Sequence, residues 1–318
     1  MNQARDVKTG EIIDAESLKH LFEDGLSEYE CIDEKCRIKL LACSYKPVNK
    51  NRPYFKSFKG EYHSKNCKFS EYLKLLEKAK NRALTEFELE DMPFPTKLKK
   101  VKSNIDNDTI VKTNSVENED SSQVGLRSKA SGEFVDVLNK SKVVASISPI
   151  VDFYIKCPYN RHMELEIEDV QKMYMYWFKR IEKPFAIGNY NGKNIFFGRL
   201  HTNRENITET EESLEITLFE SEGWEKSDNG KPAKQINPFI VSIDKTTISK
   251  NKVSRIKNEI DYAIEEKINA FKNNEVDKKK HAFIFFYGEA PTKDKHCKFK
   301  VIDGSLVARY AQIFPTKQ

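Results

Sequence analysis

The sequence predicts an α+β protein in which a small N-terminal module precedes a C-terminal mixed domain with a mostly antiparallel sheet and one long helix. Three observations lead to this prediction. Cysteines cluster with a histidine early in the chain. No aromatic residue occurs between Phe94 and Phe134, although 11% of the chain is aromatic. The remaining C-terminal half alternates strand patterns and turns around a single amphipathic helical stripe.

The early cluster contains two closely spaced pairs of metal ligands. Four residues separate Cys31 from Cys36, and three separate His63 from Cys67. Thiolate sulfur and imidazole nitrogen bind zinc tetrahedrally, and four protein ligands close a structural site. The segment between the pairs has few large apolar residues, so metal binding would supply much of its folding free energy. The sequence therefore predicts an N-terminal zinc module with structural Zn²⁺ bound by Cys31, Cys36, His63 and Cys67.

Two alternatives fit the same window. Cys43 lies between the pairs and could replace one of the four ligands. The window could also hold unrelated buried thiols and a surface histidine. A close cluster of cysteines is nevertheless more typical of a metal site than of a disulfide framework, and it fits a reducing cytosol.

This stretch also resembles a known family. The matching residues are, in order, Tyr29-Glu-Cys31, Cys36-Arg-Ile-Lys39, Arg52-Pro-Tyr-Phe55, His63 and Cys67. Over residues 1–70 they resemble the N-terminal zinc-finger region of the CoiA-like competence proteins of bacteria. In that family a nuclease-like domain follows the finger, and its motif is not found in this chain. The resemblance implies a role in DNA uptake, mobile-element biology or phage defence.

Positive charge is concentrated on the predicted module. Residues 31–80 contain 13 Lys and Arg against 5 Asp and Glu, a net charge of +8, whereas the whole chain carries +5. Such a patch is the electrostatic footprint of a phosphate-backbone binder, although a solvated lysine-rich surface gives the same count. The predicted nucleic-acid contacts are Arg52, Lys56, Lys59, Lys65 and Lys68.

Aromatic residues are interleaved with these cations. Tyr54, Phe55 and Phe58 lie among the lysines of the same segment. Bases stack on exposed rings while cations contact phosphates, so this pattern is typical of proteins that bind single-stranded nucleic acid. We expect Phe55 to pack in the small core under the zinc and the cations to contact the phosphates.

Short elements are predicted around the module. Ala4–Ile13 fits a hairpin with its turn at Lys8-Thr9-Gly10, and Asp14 is placed to cap a short helix. One longer helix, capped by Ser70 and ended by prolines, is predicted from the spacing of Tyr72, Leu75, Leu76, Ala79, Ala83 and Phe87. The polar stretch that follows cannot bury enough apolar surface to fold. The predicted units are residues 1–95 (zinc module and following helix), 96–132 (flexible linker) and 133–318 (α+β domain).

The C-terminal domain is predicted from strands on both sides of one helix. The predicted strands are Met163–Ile167, then Asn194–Leu200, Leu214–Leu218 and Pro238–Ile243 before the helix, and Ala282–Tyr287 and Phe299–Ile302 after it, with Leu306–Ile313 closing the chain. The helix spans Ser249–Phe271, with an apolar stripe of Val253, Ile256, Ile260, Ile264, Ile268 and Phe271. The segment Lys172–Ile181 fits either an aromatic strand or a buried helix. Three strands, a helix and two strands is the order of an OB-type barrel, but another α+β sheet with one packed helix would give it too.

Catalytic motifs are not found. The sequence has no Gly-x-Ser-x-Gly elbow and no His-Glu-x-x-His, and the glycine-containing loop Gly188–Asn194 lacks the Ser or Thr of a phosphate-binding loop. Glu265-Glu266-Lys267, and Asp152 with Lys156, have the residue types of a metal-dependent nuclease. Such groups are usually pairs on a solvated helix face. The sequence therefore favours a non-enzymatic protein, and no catalytic residue is assigned.

Composition narrows the class of protein. Charged residues make up 32% of the chain and hydrophobic ones 38%. No apolar run approaches the roughly 18 residues that cross a bilayer, and the first residues lack a secretory signal. We expect a soluble cytoplasmic protein without a membrane partner.

The predicted function is zinc-stabilised binding of nucleic acid, with DNA favoured over RNA. The alternatives are a protein–protein adaptor in a larger defence or DNA-processing complex, and a divergent metal-dependent nuclease.

Overall fold

A computed structural model describes residues 1, 3–15, 18–21, 27–46, 48–91, 94–99, 143–182, 192–225, 234–275, 277, 279–292 and 297–314 of the chain. Most of the predicted linker 96–132, and most of the loop Gly188–Asn194, lie outside these residues. The described residues form helices and sheets, with one long helix in the C-terminal part as predicted. None of the described helices is both long enough and apolar enough to cross a lipid bilayer.

The N-terminal part is an antiparallel sheet with a small core. Its elements are β1 (Gln3–Asp6), β2 (Ile12–Asp14), α1 (Leu18–Leu21), β3 (Tyr29–Glu30), β4 (Lys39–Cys43) and β5 (Tyr54–Ser57). The strand order β2-β1-β3-β4-β5 confirms the predicted hairpin and places β5 at an edge. The core contains the buried residues Ala4, Ala15, Leu18, Tyr29, Leu40 and Phe55. The expected burial of Phe55 is therefore confirmed.

Two helices follow where the sequence predicted one. The first, α2 (Lys68–Asn81), begins directly after Cys67 instead of at Ser70, and the second is α3 (Glu86–Asp91). The Thr85 hydroxyl accepts a hydrogen bond from Glu88 N, and the Glu88 carboxylate accepts one from Thr85 N. This reciprocal capping box starts a new helix and breaks the predicted one. Phe87 is consequently exposed instead of lying on a buried stripe.

The C-terminal part contains two further sheets. Its strands are β6 (Lys97–Leu98), β7 (Val143–Val144), β8 (Glu164–Ile167), β9 (Val170–Met173), β10 (Phe178–Arg180), β11 (Lys193–Arg199), β12 (Ile207–Glu209), β13 (Ser213–Trp224), β14 (Gln235–Asp244), β15 (Lys280–Glu289) and β16 (Lys298–Gln312). Its helices are α4 (Ser148–Lys156), α5 (Tyr174–Trp177) and α6 (Lys250–Lys272). The ambiguous segment Lys172–Ile181 contains both structures, because one helical turn, α5, separates β9 from β10. The small sheet has the order β7-β6-β8-β9, and the other seven strands form the large sheet.

Five strands of the large sheet form a barrel. The pairs β11/β15, β15/β16 and β13/β14 are antiparallel, whereas β14/β16 is parallel. An antiparallel bridge between Leu200 and Leu218 connects the end of β11 back to β13. If β11, β13, β14, β15 and β16 are numbered 1 to 5 along the chain, neighbouring strands follow the order 1-2-3-5-4-1. Helix α6 lies between strands 3 and 4 in the chain. This is the connectivity of a partly open OB-type barrel, as the order of elements predicted.

Gly198 lies where β11 and β13 close the barrel. A Cβ atom at position 198 would lie 2.8 Å from Leu218 Cδ1 and 3.2 Å from Glu220 Oε2. These distances are shorter than ordinary van der Waals contacts, so a larger residue at this position would have to displace the ends of these two side chains.

The last strand differs from its prediction. The predicted strand Phe299–Ile302 continues through most of the closing segment Leu306–Ile313 as one strand, β16. Asp303 and Gly304 have φ angles of 49° and 57°, and the pairing with β15 shifts register between Phe286 and Gly288. An irregularity of this kind bends a strand without ending it, which lets β16 follow the curved barrel wall.

Apolar cores lie on both faces of the barrel wall. Phe196, Phe286 and Phe299 face the interior together with Ile256 and Ile260 of α6. The alternate residues face outward and are covered by α4, α5 and α2, in a cluster that includes Phe197, Phe285, Trp177, Tyr154, Leu75, Leu76 and Ala79. The α6 stripe is confirmed over most of its length, but Phe271 at its end is 73% exposed. The predicted domain limits stay a prediction.

Candidate metal centre and basic surface

The four predicted metal ligands lie together. The ligand atoms of Cys31, Cys36, His63 and Cys67 are all within 4.8 Å of one another. Cys31 Sγ lies 3.7 Å from Cys67 Sγ, and His63 Nδ1 lies 3.4 Å from Cys36 Sγ and 3.5 Å from Cys67 Sγ. The two pairs, distant in sequence, therefore form one group that could hold a metal ion.

The separations match those of a tetrahedral site. With Zn–S bonds of about 2.3 Å and a Zn–N bond of about 2.0 Å, a regular tetrahedron has S···S edges of about 3.8 Å and S···N edges of about 3.5 Å. The observed S···S separation of 3.7 Å and S···N separations of 3.4 and 3.5 Å lie close to these values. The donor set and its spacing therefore fit a closed four-ligand metal site.

Local backbone structure positions each ligand. Cys36 N and Arg37 N both donate to the carbonyl oxygen of Asp33, at 2.9 and 3.0 Å, and Arg37 has a φ of 43°. These bonds turn the chain so that Cys36 Sγ points back toward Cys31. Cys67 N donates to Ser64 O at 3.0 Å, and Cys67 is the N-cap residue of α2. A thiolate at a helix N-terminus is stabilised by the helix dipole.

Asp33 connects the two halves of the site, and sequence reasoning missed it. Its Oδ1 accepts a hydrogen bond from Lys35 N at 3.0 Å, and its Oδ2 accepts one from Lys68 N at 2.7 Å. Burial disfavours its charge, but these two N–H donors outweigh it and lower the pKa of Asp33. One carboxylate thus fixes the first ligand loop against the start of α2. The sequence feature that could have indicated the role of Asp33 is an acidic residue inside a Cys-x4-Cys loop.

For three of the four ligands burial favours the neutral form when no cation is bound, whereas hydrogen bonds, among them that from Ser64 N, outweigh burial and lower the pKa of the Cys36 thiol. Burial raises the pKa of the thiols of Cys31 and Cys67, and burial lowers the pKa of the His63 imidazole. A bound cation reverses this balance for thiols, because a coordinating thiol is deprotonated. Metal binding at this site is therefore expected to release protons.

Cys43 is not part of the group. Among the described residues the cluster contains Cys31, Cys36, His63 and Cys67, and the Cys43 thiol instead points to the carbonyl oxygen of Leu41 at 3.7 Å. Its position in β4, paired with Tyr54 of β5, directs it away from the ligands.

The basic segment presents cations and rings to solvent. Lys56, Lys59, Lys65 and Lys68 are all exposed. Three aromatic side chains accompany them: Tyr54 is 40% exposed, Phe58 39% and Tyr62 86%. Within the described residues no salt bridge involves Lys56, Lys59 or Lys65, and Lys68 lies near Asp33. The four sequence-predicted lysines are therefore exposed, and Lys65 and Lys68 flank the metal ligand Cys67 in the chain.

Arg52, the fifth predicted phosphate contact, is in a different environment. Its guanidinium donates to Glu259 Oε1 at 2.8 Å and to Glu259 Oε2 at 3.3 Å, and its side chain is 18% exposed. It also lies over the ring of Tyr262 at 5.2 Å. Arg309 donates to the same carboxylate at 2.6 Å. Arg52 thus links the N-terminal sheet to helix α6.

The carboxylates considered for a nuclease are paired with cations. Asp152 accepts from Arg309 Nε at 2.9 Å and from Lys156 Nζ at 3.1 Å. Glu265, predicted on a solvated helix face, is instead buried, with Arg204 at 2.9 Å and Lys50 at 3.6 Å. The sequence could not reveal this burial, because both partners come from distant parts of the chain.

The chain has no recognisable relative in the comparisons made. Neither the protein-family models, nor the curated proteins, nor the solved structures give a match.

Proposed function

We propose that this protein binds nucleic acid, with DNA favoured over RNA, through a zinc-stabilised N-terminal module. The observation that carries the proposal is the exposed edge formed by β5 and the turn after it. Lys56 and Lys59 are exposed beside the exposed rings of Tyr54 and Phe58, while Phe55 between them is buried. Cations that contact phosphates beside rings that stack with bases are the combination found in proteins that bind single strands.

Zinc is the ion that we propose for the metal centre. Three thiols and one imidazole are the donors that suit Zn²⁺, whereas Mg²⁺ and Ca²⁺ prefer oxygen ligands. A site closed by four protein ligands has no position for substrate, so the ion is structural. Cys31, Cys36, His63 and Cys67 would hold it and thereby fix the turn that carries Lys59 and Lys65 against the start of α2.

The biological setting follows from the resemblance to the CoiA-like competence proteins. That resemblance supports a role in bacterial DNA uptake, mobile-element biology or phage defence. A reducing cytoplasm would keep the four ligands available as thiols and imidazole for zinc.

The test is binding of labelled single- and double-stranded DNA to the zinc-loaded full chain, measured by fluorescence anisotropy over a salt series. Each phosphate contact contributes a slope of about −0.9 to log K against log salt for duplex DNA and about −0.7 for single strands. Lys56→Glu and Lys59→Glu should each weaken binding to all sequences alike and reduce the slope by about one contact. Lys250→Glu is the matched control, because Lys250 is exposed at the start of α6.

Two results would contradict the proposal: binding that does not depend on salt, and an equal loss in the Lys250→Glu control. The alternative functions give other results in the same experiment. An adaptor would retain a protein in a pull-down and leave DNA unbound. A divergent nuclease would cut DNA with Mg²⁺ and stop on its removal while zinc stays bound.

A further inference from the structure

A second group of exposed aromatic and cationic side chains lies on the barrel, away from the metal centre. Phe219 and Trp224 of β13 are 39% and 43% exposed, and their ring centroids are 5.4 Å apart. The ring of His201 lies 5.4 Å from Phe219, and the guanidinium carbon of Arg199 lies 4.4 Å above it. We call Arg199, His201, Phe219 and Trp224 the barrel platform.

The platform lies where the regular alternation of β13 ends. Leu214, Ile216 and Leu218 face the barrel interior, so Phe219 is turned outward by regular alternation. The pairing of β13 with β14 then shifts register between Thr217 and Ser221, and Glu220 and Ser221 are consecutive buried residues. Large apolar rings usually lie inside a fold, so two neighbouring exposed rings at a strand irregularity are typical of a contact surface.

The buried carboxylate of Glu220 fixes the central cation of the platform. It accepts hydrogen bonds from Arg199 N at 2.8 Å and from Arg199 Nε at 2.7 Å. Within the described residues, Arg199 Nη1 and Nη2 have no hydrogen-bond acceptor. The guanidinium is therefore held over the Phe219 ring by one edge, and its other edge is available to a ligand. A guanidinium in this fixed geometry is suited to bidentate contact with a phosphate.

More positive charge surrounds Arg199. Lys267 of α6 and Arg180 of β10 supply this charge, and burial followed by the charge of Arg199 lowers the pKa of Lys267 and of His281 of β15, so the His281 imidazole is neutral at pH 7. Among these cations Arg180 has a salt bridge, to exposed Glu182 at 3.4 Å. In the described part of the chain, Lys267 has no acidic partner within salt-bridge distance. An anion bound here would relieve the mutual repulsion of these cations.

We propose that the barrel platform binds single-stranded nucleic acid, with bases stacked on Phe219 and Trp224 and a phosphate contacted by Arg199 and Lys267. Bases stack on exposed rings whatever their sequence, and a duplex does not present unstacked base faces. The platform is thus a second contact surface for the ligand class proposed above, but it rests on its own residues. It is specific for single strands, whereas the lysines beside the metal centre recognise the phosphate backbone.

The chain offers a direct optical test. It contains two tryptophans, Trp177 and Trp224, and Trp177 is 2% exposed with its indole N–H bonded to Leu165 O. Stacking of a base on Trp224 should quench its emission and leave that of Trp177 unchanged. Titration of the zinc-loaded full chain with oligothymidylate of about 15 nucleotides, near the upper end of the site sizes of one OB-type barrel, should therefore quench fluorescence. The Trp224→Phe variant should lose this quenching.

Affinity provides the second readout. Phe219→Ala should weaken binding of the single strand by about tenfold, the loss expected for one stacked base, and should change duplex binding little. Phe87→Ala is the matched control, because Phe87 is 74% exposed on α3, far from the platform in sequence and in another element. Retained zinc content and an unchanged unfolding midpoint for each variant would establish that the fold is intact.

The outcomes separate this inference from the proposed function. Quenching by oligothymidylate, together with the loss of affinity in Phe219→Ala, supports the platform when both persist in the Lys56→Glu and Lys59→Glu backgrounds. If these lysine variants bind DNA as tightly as the parent protein, the proposed function is contradicted but the platform is still supported. Binding of oligothymidylate without quenching, and with equal affinity for Phe219→Ala, would overturn the platform and leave the proposed function standing. Absence of binding to any single strand at low salt would overturn the platform, and absence of binding to duplex DNA as well would overturn both.

Discussion

The N-terminal module and the barrel are stabilised in different ways. Among the described residues the module core has six buried members, two of them alanines, whereas the barrel interior has twenty. Burying a large apolar side chain contributes about 1.5–3 kcal/mol, and the ordering of each residue costs about 1–2 kcal/mol. Apolar burial can therefore stabilise the barrel, but it is too small to order the module. The module needs other interactions.

Two such interactions are available to the module. One is the metal centre, whose four ligands join the loop after β3 to the start of α2. The other is the contact with the barrel, where the Arg52 guanidinium meets the buried carboxylate of Glu259 at 2.8 Å. The module is therefore ordered by a few strong polar contacts, whereas the barrel is ordered by many weak apolar ones.

The largest effect is expected from loss of the metal. Structural zinc contributes about 10–16 kcal/mol to the folding of zinc-finger peptides. The double substitution Cys31→Ser and Cys67→Ser should therefore abolish metal binding and release amide protection in β3, β4 and β5. The barrel strands should keep theirs, because their core does not include the ligands. Hydrogen exchange read by mass spectrometry, beside metal analysis, makes this measurement.

Cys43→Ser is the control for loss of the metal. It removes a thiol from the same sheet without removing a ligand, so stoichiometric metal and amide protection should both remain. If the double variant keeps the protection of β3 to β5, the module does not depend on the ion, and the contrast with the barrel disappears.

The next effect concerns the contact between the two regions. Glu259→Gln would leave Arg52 and Arg309 facing a neutral amide inside the protein. Removing one partner of a buried ion pair costs about 3–5 kcal/mol. We expect the free energy of unfolding in urea to fall by about this amount while the metal stays bound.

The matched control is an exposed pair. Lys39 and Glu28 lie 3.2 Å apart with side chains 69% and 72% exposed. Glu28→Gln should cost less than about 1 kcal/mol, as exposed salt bridges do. Equal costs for Glu259→Gln and Glu28→Gln would mean that the contact with the barrel contributes little to the stability of the module.

The same contrast explains what the sequence could predict. The four metal ligands were predictable because each pair is local, and because only a few residue types bind zinc. The barrel order was predictable because each strand and the α6 stripe have their own periodicity. These features depend on residues that are near one another in the chain.

Features that depend on distant residues were not predictable. The ion pair of Arg52 with Glu259 joins residues 207 positions apart in the chain. Glu265 was expected on a solvated face, yet it is buried, and its exposed partners Arg204 and Lys50 come from distant parts of the chain. Glu220 and Ser221 are consecutive buried residues where the pairing of β13 with β14 shifts register, and no local pattern indicates this shift. The nucleic-acid contacts of Arg52 and of the lysines stay a prediction.

A moderate effect is expected where the barrel closes. Gly198→Ala places a methyl group 2.8 Å from Leu218 Cδ1. Overpacking of this kind costs about 1–3 kcal/mol. The added substitution Leu218→Val removes the clashing atom, so the double variant should be more stable than the sum of the two single effects predicts. Additive costs in urea unfolding would show that closure at Gly198 is not tight, and metal content should be unchanged in all three variants.

The smallest effect is expected from the pH dependence of Asp152. Its carboxylate accepts a hydrogen bond from Arg309, which also donates to Glu259. Burial opposes its charge, but Lys156 and Arg309 outweigh burial and hold the pKa of Asp152 well below its ordinary value. A lowered carboxyl pKa contributes stability above the unfolded-state value of about 3.9, and this contribution is lost as pH falls toward the folded-state value. Unfolding free energies between about pH 5 and pH 2 should therefore fall more steeply in the parent protein than in Asp152→Asn. Asp169→Asn, at a side chain that is 94% exposed, should follow the parent curve. Parallel curves for the parent and Asp152→Asn would mean that the charge of Asp152 does not stabilise the folded state.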